Sequence, residues 1–107
     1  MTQPVGVDAV VGIVWVHVFE QDTPEGSVFR PEDSDIPLSR RPRVRFELLP
    51  GGKAAWITSG PDDRPVRHPA RWSEEKDEVV LRDASGALRA RILTRERDRL
   101  VVRMQGG

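Results

Sequence analysis

Hydrophobic and polar residues alternate in short runs along this chain, and glycine, proline or charged residues separate the runs. In residues 11–20, valines occupy alternate positions, and larger side chains such as Trp15, His17 and Phe19 lie between them. Successive side chains of an extended strand point to opposite faces, so this run predicts a strand with both faces buried. No stretch shows a convincing helical period. The pattern predicts an all-β protein.

Eight runs of this kind predict eight strands, which cover residues 11–20, 27–30, 43–49, 54–58, 70–72, 78–82, 87–94 and 99–104. Most of the turns between them are short, so neighbouring strands should pair as antiparallel hairpins. Closure of such a sheet removes the exposed edges that favour aggregation. We therefore expect a small antiparallel up-and-down β-barrel, whose interior is either filled by side chains or open to one small ligand.

Two proline-rich segments interrupt the runs. Residues 31–42 hold Pro31, Pro37 and Pro42, and residues 59–69 form a second segment that is rich in proline and glycine. We interpret both as surface loops, and the first as an ordered loop that could cover one mouth of the barrel.

The length of 107 residues is typical of one domain, so we expect residues 1–107 to form a single barrel domain. Residues 1–10 precede the first predicted strand and form an N-terminal extension that could be flexible. The chain has no cysteine, which excludes disulfides, thiol nucleophiles and cysteine-bound zinc. The first residues lack the basic leader of a signal peptide, and the apolar stretch 9–18 is too short to span a bilayer. We expect a cytoplasmic protein with no membrane contact.

The formal net charge is zero, from 17 basic and 17 acidic residues, so no global field attracts nucleic acid. Arginines cluster in residues 40–45 and 64–71, but acidic side chains in the neighbouring loops should neutralise them. Aromatic residues that could stack on bases are few. We expect no nucleic-acid partner. No phosphate-binding loop, catalytic triad order or metal motif is present, and we assign neither a cofactor nor a metal site.

Several short motifs carry a family resemblance. They are Gly12 to Trp15 on the opening strand, Phe46-Glu47-Leu48 before the Gly51-Gly52 turn, Ala70-Arg71-Trp72, and the late run Arg99-Leu100-Val101-Val102. In this pattern, which covers residues 12–103, the chain resembles an uncharacterised branch of small bacterial lipocalin-like (calycin-type) β-barrel proteins. The resemblance implies a barrel with an enclosed or partly enclosed site and no catalytic residues. It also implies that an arginine of the last strand, Arg99 or Arg103, packs on Trp15.

Two residues are candidates for acid–base chemistry. His17 lies between Trp15 and Phe19 on the predicted inner face, where burial would favour a neutral imidazole able to act as a base or ligand. Glu20 follows closely and, with Asp22, could form a carboxylate pair at the barrel mouth. The alternatives, which we favour, are a hydrogen-bonded core histidine and carboxylates that solvate a strand end.

Five residues are candidates for lining a ligand cavity: Trp15, His17, Phe46, Trp56 and Trp72. Indole rings offer a large apolar surface and one N–H donor, although three tryptophans could equally fill a small core. Three functions therefore remain open. The first is binding of a small, mostly apolar molecule. The second is an isomerase, cyclase or dehydratase that uses His17 or Glu20, and the third is an interaction or structural module that docks onto a partner or forms a homo-oligomer.

Overall fold

The computed structural model describes residues 5–105, in which eight strands form one closed antiparallel barrel. The strands are β1 (Val14–His17), β2 (Ser27–Pro31), β3 (Arg45–Leu49), β4 (Lys53–Ser59), β5 (Pro65–Glu75), β6 (Glu78–Asp83), β7 (Leu88–Glu96) and β8 (Arg99–Met104). Short 3₁₀ turns cover Val7–Ala9, Phe19–Gln21, Pro50–Gly52 and Pro61–Asp63. The predicted fold class, an all-β antiparallel up-and-down barrel, is confirmed. Among the described residues, no helix is long and apolar enough to cross a membrane.

The first strand has an unexpected position around the barrel. β3 to β8 follow one another in chain order, but β1 lies between β2 and β3 and pairs antiparallel with both. β2 and β3 consequently run in the same direction, so the chain between them must pass from one end of the barrel to the other beside β1. We call this link, residues 32–44, the crossover segment. It coincides with most of the predicted loop 31–42.

The N-terminal segment closes one end of the barrel. Val7 and Val10 join the hydrophobic core, and the indole N–H of Trp15 donates to the carbonyl oxygen of Val10 at 3.1 Å. The amide of Gly12 donates to Leu48 O at 2.8 Å, which seats the segment against the end of β3. We call this the closed end. The predicted extension begins with residues 1–4, which lie outside the described residues.

The barrel interior is packed with apolar side chains from every strand. Along β3, Phe46 and Leu48 are fully buried while Arg45 and Glu47 point outward, as the alternation predicts. The two aromatic rings Phe29 and Phe46 lie with their centroids 4.8 Å apart in the middle of the core. The barrel interior is therefore filled from the closed end to its middle, which leaves the opposite end for a site that reaches into the barrel.

The first predicted strand is too long. Residues 11–20 were expected to be extended, but β1 covers only Val14–His17. Gly12 before it has a φ of 83°, a left-handed conformation that ends strand geometry and that glycine adopts without a steric penalty. Phe19–Gln21 after it forms a 3₁₀ turn.

The predicted loop at 59–69 is wrong over its second half, because β5 begins at Pro65. Residues 65–69 pair with β4, from Ser59 opposite Pro65 to Ala55 opposite Pro69, and β6 joins the other side of β5 only from Ala70 onward. Proline is tolerated in a strand at an unpaired edge, where no partner needs its missing N–H. Residues 58–66 thus form a two-stranded tip that extends beyond β3 and β6, and residues 67–69 join this tip to the barrel wall. We call residues 58–69 the projecting ribbon.

Candidate functional site

A cavity of about 390 Å³ opens at the end of the barrel opposite the N-terminal segment. Its apolar lining consists of Val44, Trp56, Pro69 and Met104. Val44 comes just before β3, Trp56 and Pro69 lie on β4 and β5, and Met104 is the last residue of β8. The cavity therefore spans the mouth of the barrel. Its volume falls within the range of small-molecule sites. We call this the open end.

Trp56 lies in this cavity with an unsatisfied indole nitrogen. Its side chain is almost completely buried, and its Nε1–H has no hydrogen-bond partner among residues 5–105. The other two tryptophans differ, because Trp15 donates to Val10 O at 3.1 Å and Trp72 donates to Leu49 O at 2.7 Å. A buried donor without a partner costs about 1–3 kcal/mol. Among the described residues, Trp56 is the one tryptophan whose indole N–H has no protein partner, and it lines the cavity at the open end.

Polar groups form the rim of the cavity. On the projecting ribbon, Thr58 Oγ1 and His68 Nε2 lie 2.9 Å apart and share a hydrogen bond. Asp83, on the far side, accepts a hydrogen bond from the Ser85 hydroxyl, and this bond lowers the pKa of Asp83, with further help from the amides of Ala87 and Ser85. Asp83 is therefore ionised at neutral pH, and Arg89 provides an opposite charge at the same rim. The rim has no net charge when His68 is neutral.

The five predicted ligand-lining residues separate into two groups. His17, Phe46 and Trp56 belong to one row of aromatic rings that is completed by Phe29, with centroid distances of 5.1, 4.8 and 5.4 Å between neighbours. Trp56 is the first ring of this row and lines the cavity, and Phe46 is next to it in the core. His17 is the last ring of the row and does not line the cavity. Trp15 lies at the closed end, and so does Trp72, whose indole is bonded to the end of β3. A role for these residues in ligand binding stays a prediction.

The two predicted acid–base residues have fixed partners outside the cavity. His17 Nε2 lies 3.0 and 3.1 Å from the two carboxylate oxygens of Asp22, and its ring stacks on Phe29. Glu20 forms a two-pronged ion pair with Arg43, and the hydrogen bonds from Arg43 are the main reason that the pKa of Glu20 falls to about 2. A carboxylate with that pKa is a weak proton acceptor at neutral pH. Their catalytic role stays a prediction, and neither residue lines the cavity at the open end.

Arg43 anchors the crossover segment to the barrel. Its guanidinium donates to the carbonyl oxygens of His17 and Pro37, each at 2.9 Å, in addition to Glu20. It also lies over the ring of Phe19 with its central carbon 4.5 Å from the ring centroid. One side chain thus joins the end of β1, the turn that follows it and the crossover segment.

The expected packing of Arg99 or Arg103 on Trp15 is wrong. The guanidinium groups found over aromatic rings in residues 5–105 are those of Arg41 and Arg43, and both lie over Phe19. Trp15 is fully buried at the closed end. Arg103 is exposed near the open-end terminus of β8, and Arg99 faces Glu96 at 3.9 Å.

Three residues that line the open end were not predicted from the sequence: the exposed His68, Met104 and the rim charge Arg89. Alternation backwards from Ala70 through His68 to Val66 was the available signal, but Pro65 and Pro69 obscured it.

On the crossover segment, Leu38 is wholly exposed, and an interaction role or homo-oligomer formed through such loops stays a prediction.

Within residues 5–105, no group of three or more histidine, aspartate or glutamate side chains is arranged to hold a metal ion.

Comparison of the chain with models of protein families, with curated proteins and with solved structures found no match in any of the three. The closed antiparallel barrel of eight strands is consistent with a lipocalin-like barrel. The function must therefore be argued from the geometry of the open end.

Proposed function

We propose that this protein is a lipocalin-like barrel that binds a small, mostly apolar molecule at its open end. Two observations carry the proposal: a cavity of about 390 Å³ is lined by Trp56, and the buried indole N–H of the same residue has no partner among the described residues. Native proteins rarely leave a buried donor unpaired, and each exception calls for an explanation, such as a functional role or a bound water or ion. A bound molecule that presents an oxygen atom to Trp56 would remove the cost of leaving this donor unpaired.

The lining supports an apolar ligand. Met104 is 40% exposed, which makes it one of the few large hydrophobic side chains that the structure leaves open to solvent. Its flexible thioether adapts to varied apolar shapes, and the rigid indole of Trp56 provides a flat surface opposite. The rim carries one carboxylate, Asp83, and one guanidinium, Arg89, and this balance favours an uncharged molecule over an ion. We therefore infer an uncharged, mainly apolar ligand with a carbonyl oxygen or a similar acceptor.

A pair of probes that differ in one acceptor tests this proposal. 4-Acetylbiphenyl carries a carbonyl oxygen at one end of a rigid apolar rod, and 4-ethylbiphenyl has the same shape without it. We expect equilibrium dialysis to show saturable binding of both, with the acetyl compound bound about tenfold more tightly, which corresponds to about 1.4 kcal/mol. In the variant Trp56→Phe, the two probes should bind with equal affinity.

The matched control is Trp72→Phe, which removes an indole N–H that is already bonded to Leu49 O. This variant should preserve the preference for 4-acetylbiphenyl. Absence of saturable binding by the wild-type protein would refute the proposed function. Binding with the same preference for the acetyl compound in the Trp56→Phe variant would show that this tryptophan does not receive the acceptor.

A further inference from the structure

The wall of the open end continues beyond the barrel on one side. The tip of the projecting ribbon, residues 58–66, is paired only within itself, because β3 reaches no further than Ile57 on one flank and β6 no further than Ala70 on the other. Its inner face therefore overhangs the cavity without a strand beside it.

The inner face of the ribbon can be followed from the core outward. Ala70 lies in the hydrophobic core, His68 lines the cavity, and Val66 is the next residue on the same face, since residues two apart in a strand share a face. Val66 is opposite Thr58 and is 37% exposed, which places it with Met104 among the exposed large hydrophobics. This step adds about 7 Å of wall above the level of His68.

The ribbon turn contacts the side chain of Val66. A Cβ atom at Gly60 would lie 2.5 Å from Val66 Cγ2, so the turn backbone comes close to the valine and a larger residue at position 60 would displace its side chain. The amide of Gly60 donates to Arg64 O at 2.8 Å, which closes the turn. Val66 is consequently a partly exposed apolar side chain that lies against the turn backbone.

The chemistry of the two ribbon faces differs. On the inner face, Thr58 and His68 satisfy each other, so the wall between Trp56 and Val66 is uncharged when His68 is neutral. On the outer face, Arg67 forms an ion pair with Glu47 at 2.8 Å. An inner face that carries no carboxylate, lysine or arginine and ends in an apolar side chain suits the apolar body of a molecule that emerges from the cavity.

We infer that the ligand of the open end is an elongated, uncharged molecule whose outer part lies along the inner face of the projecting ribbon against Val66. This inference rests on the proposed function and adds a requirement for length. The acceptor lies at Trp56 inside the cavity, and the apolar rod leaves the mouth beside His68. Val66 is then a residue that determines specificity for long ligands over short ones.

The test compares 4-acetylbiphenyl with 4-acetyl-p-terphenyl, which carries the same carbonyl on a rod one ring longer. In the variant Val66→Asp, equilibrium dialysis should show about tenfold weaker binding of the terphenyl, while the affinity for the biphenyl stays within about twofold. The matched control is Pro65→Asp, which makes the same charge change on the adjacent residue of the opposite face. It should leave both affinities within about twofold of the wild-type values.

The outcomes separate the two proposals. If the wild-type protein binds the biphenyl but Val66→Asp affects both probes equally or neither, the length requirement is overturned and the proposed function stands. The same conclusion follows if Pro65→Asp weakens the terphenyl as much as Val66→Asp does. If neither probe binds to the wild-type protein, the proposed function fails and the length requirement fails with it.

Discussion

Replacement of Trp15 by alanine is expected to lower the free energy of unfolding by about 3–5 kcal/mol. The side chain is fully buried among the core residues of the closed end, so its removal leaves a large cavity that the barrel cannot collapse to fill. It also removes the hydrogen bond to Val10 O, which seats the N-terminal segment. Urea unfolding followed by circular dichroism measures the change.

The matched control is Trp72→Ala. Trp72 is half-buried and bonded to Leu49 O, so the same substitution should cost clearly less there. If Trp15→Ala destabilised the protein no more than Trp72→Ala, the tight packing of the closed end around Trp15 would be contradicted.

Replacement of Arg43 by methionine is expected to lower the free energy of unfolding by roughly 2–3 kcal/mol. Methionine keeps an apolar stem of similar length but loses the donors to His17 O and Pro37 O. These two bonds carry most of the effect, because the Arg43 side chain is only 10% exposed, whereas its partner Glu20 lies near the surface and is screened by solvent. The control Arg45→Met removes a more exposed ion pair to Glu32 and should cost less than about 1 kcal/mol.

The acid dependence of stability identifies the part of this effect that comes from Glu20. The bonds from Arg43 lower the pKa of Glu20 from 4.5 to about 2, so the ion pair stabilises the folded state fully above pH 4.5. That stabilisation is lost as the pH falls from 4.5 towards 2. The difference in stability between wild type and Arg43→Met, measured by urea unfolding across this range, should therefore shrink on acidification. A constant difference would show that the ion pair contributes nothing.

Alternation along single strands predicts correctly which side chains enter the core, as Trp15, Phe46 and Leu48 show. This succeeds because the face that a residue occupies is a local property of an extended chain. The position of β1 between β2 and β3 is not local, since it depends on pairing between segments far apart in the sequence. The strand at Pro65 was missed for a related reason: proline disrupts a paired strand but not a free edge, and only the tertiary structure shows which edge is free.

The candidate site was only partly predictable. Trp56 was expected to line a cavity because of its residue type, and Trp15 and Trp72 were expected to do so for the same reason. What distinguishes them is the presence or absence of a carbonyl oxygen near each indole N–H, which depends on the backbone of other segments. Residue type alone could not make that distinction.

The most direct test of the central claim follows the indole N–H groups themselves. A ¹H–¹⁵N NMR spectrum should show three indole signals, one for each tryptophan, which the three Trp→Phe variants assign. On titration with 4-acetylbiphenyl, we expect the Trp56 signal to move downfield as it gains an acceptor, while the signals of Trp15 and Trp72 stay in place. A Trp56 signal that does not move, or movement confined to the other two, would contradict a binding site at the open end.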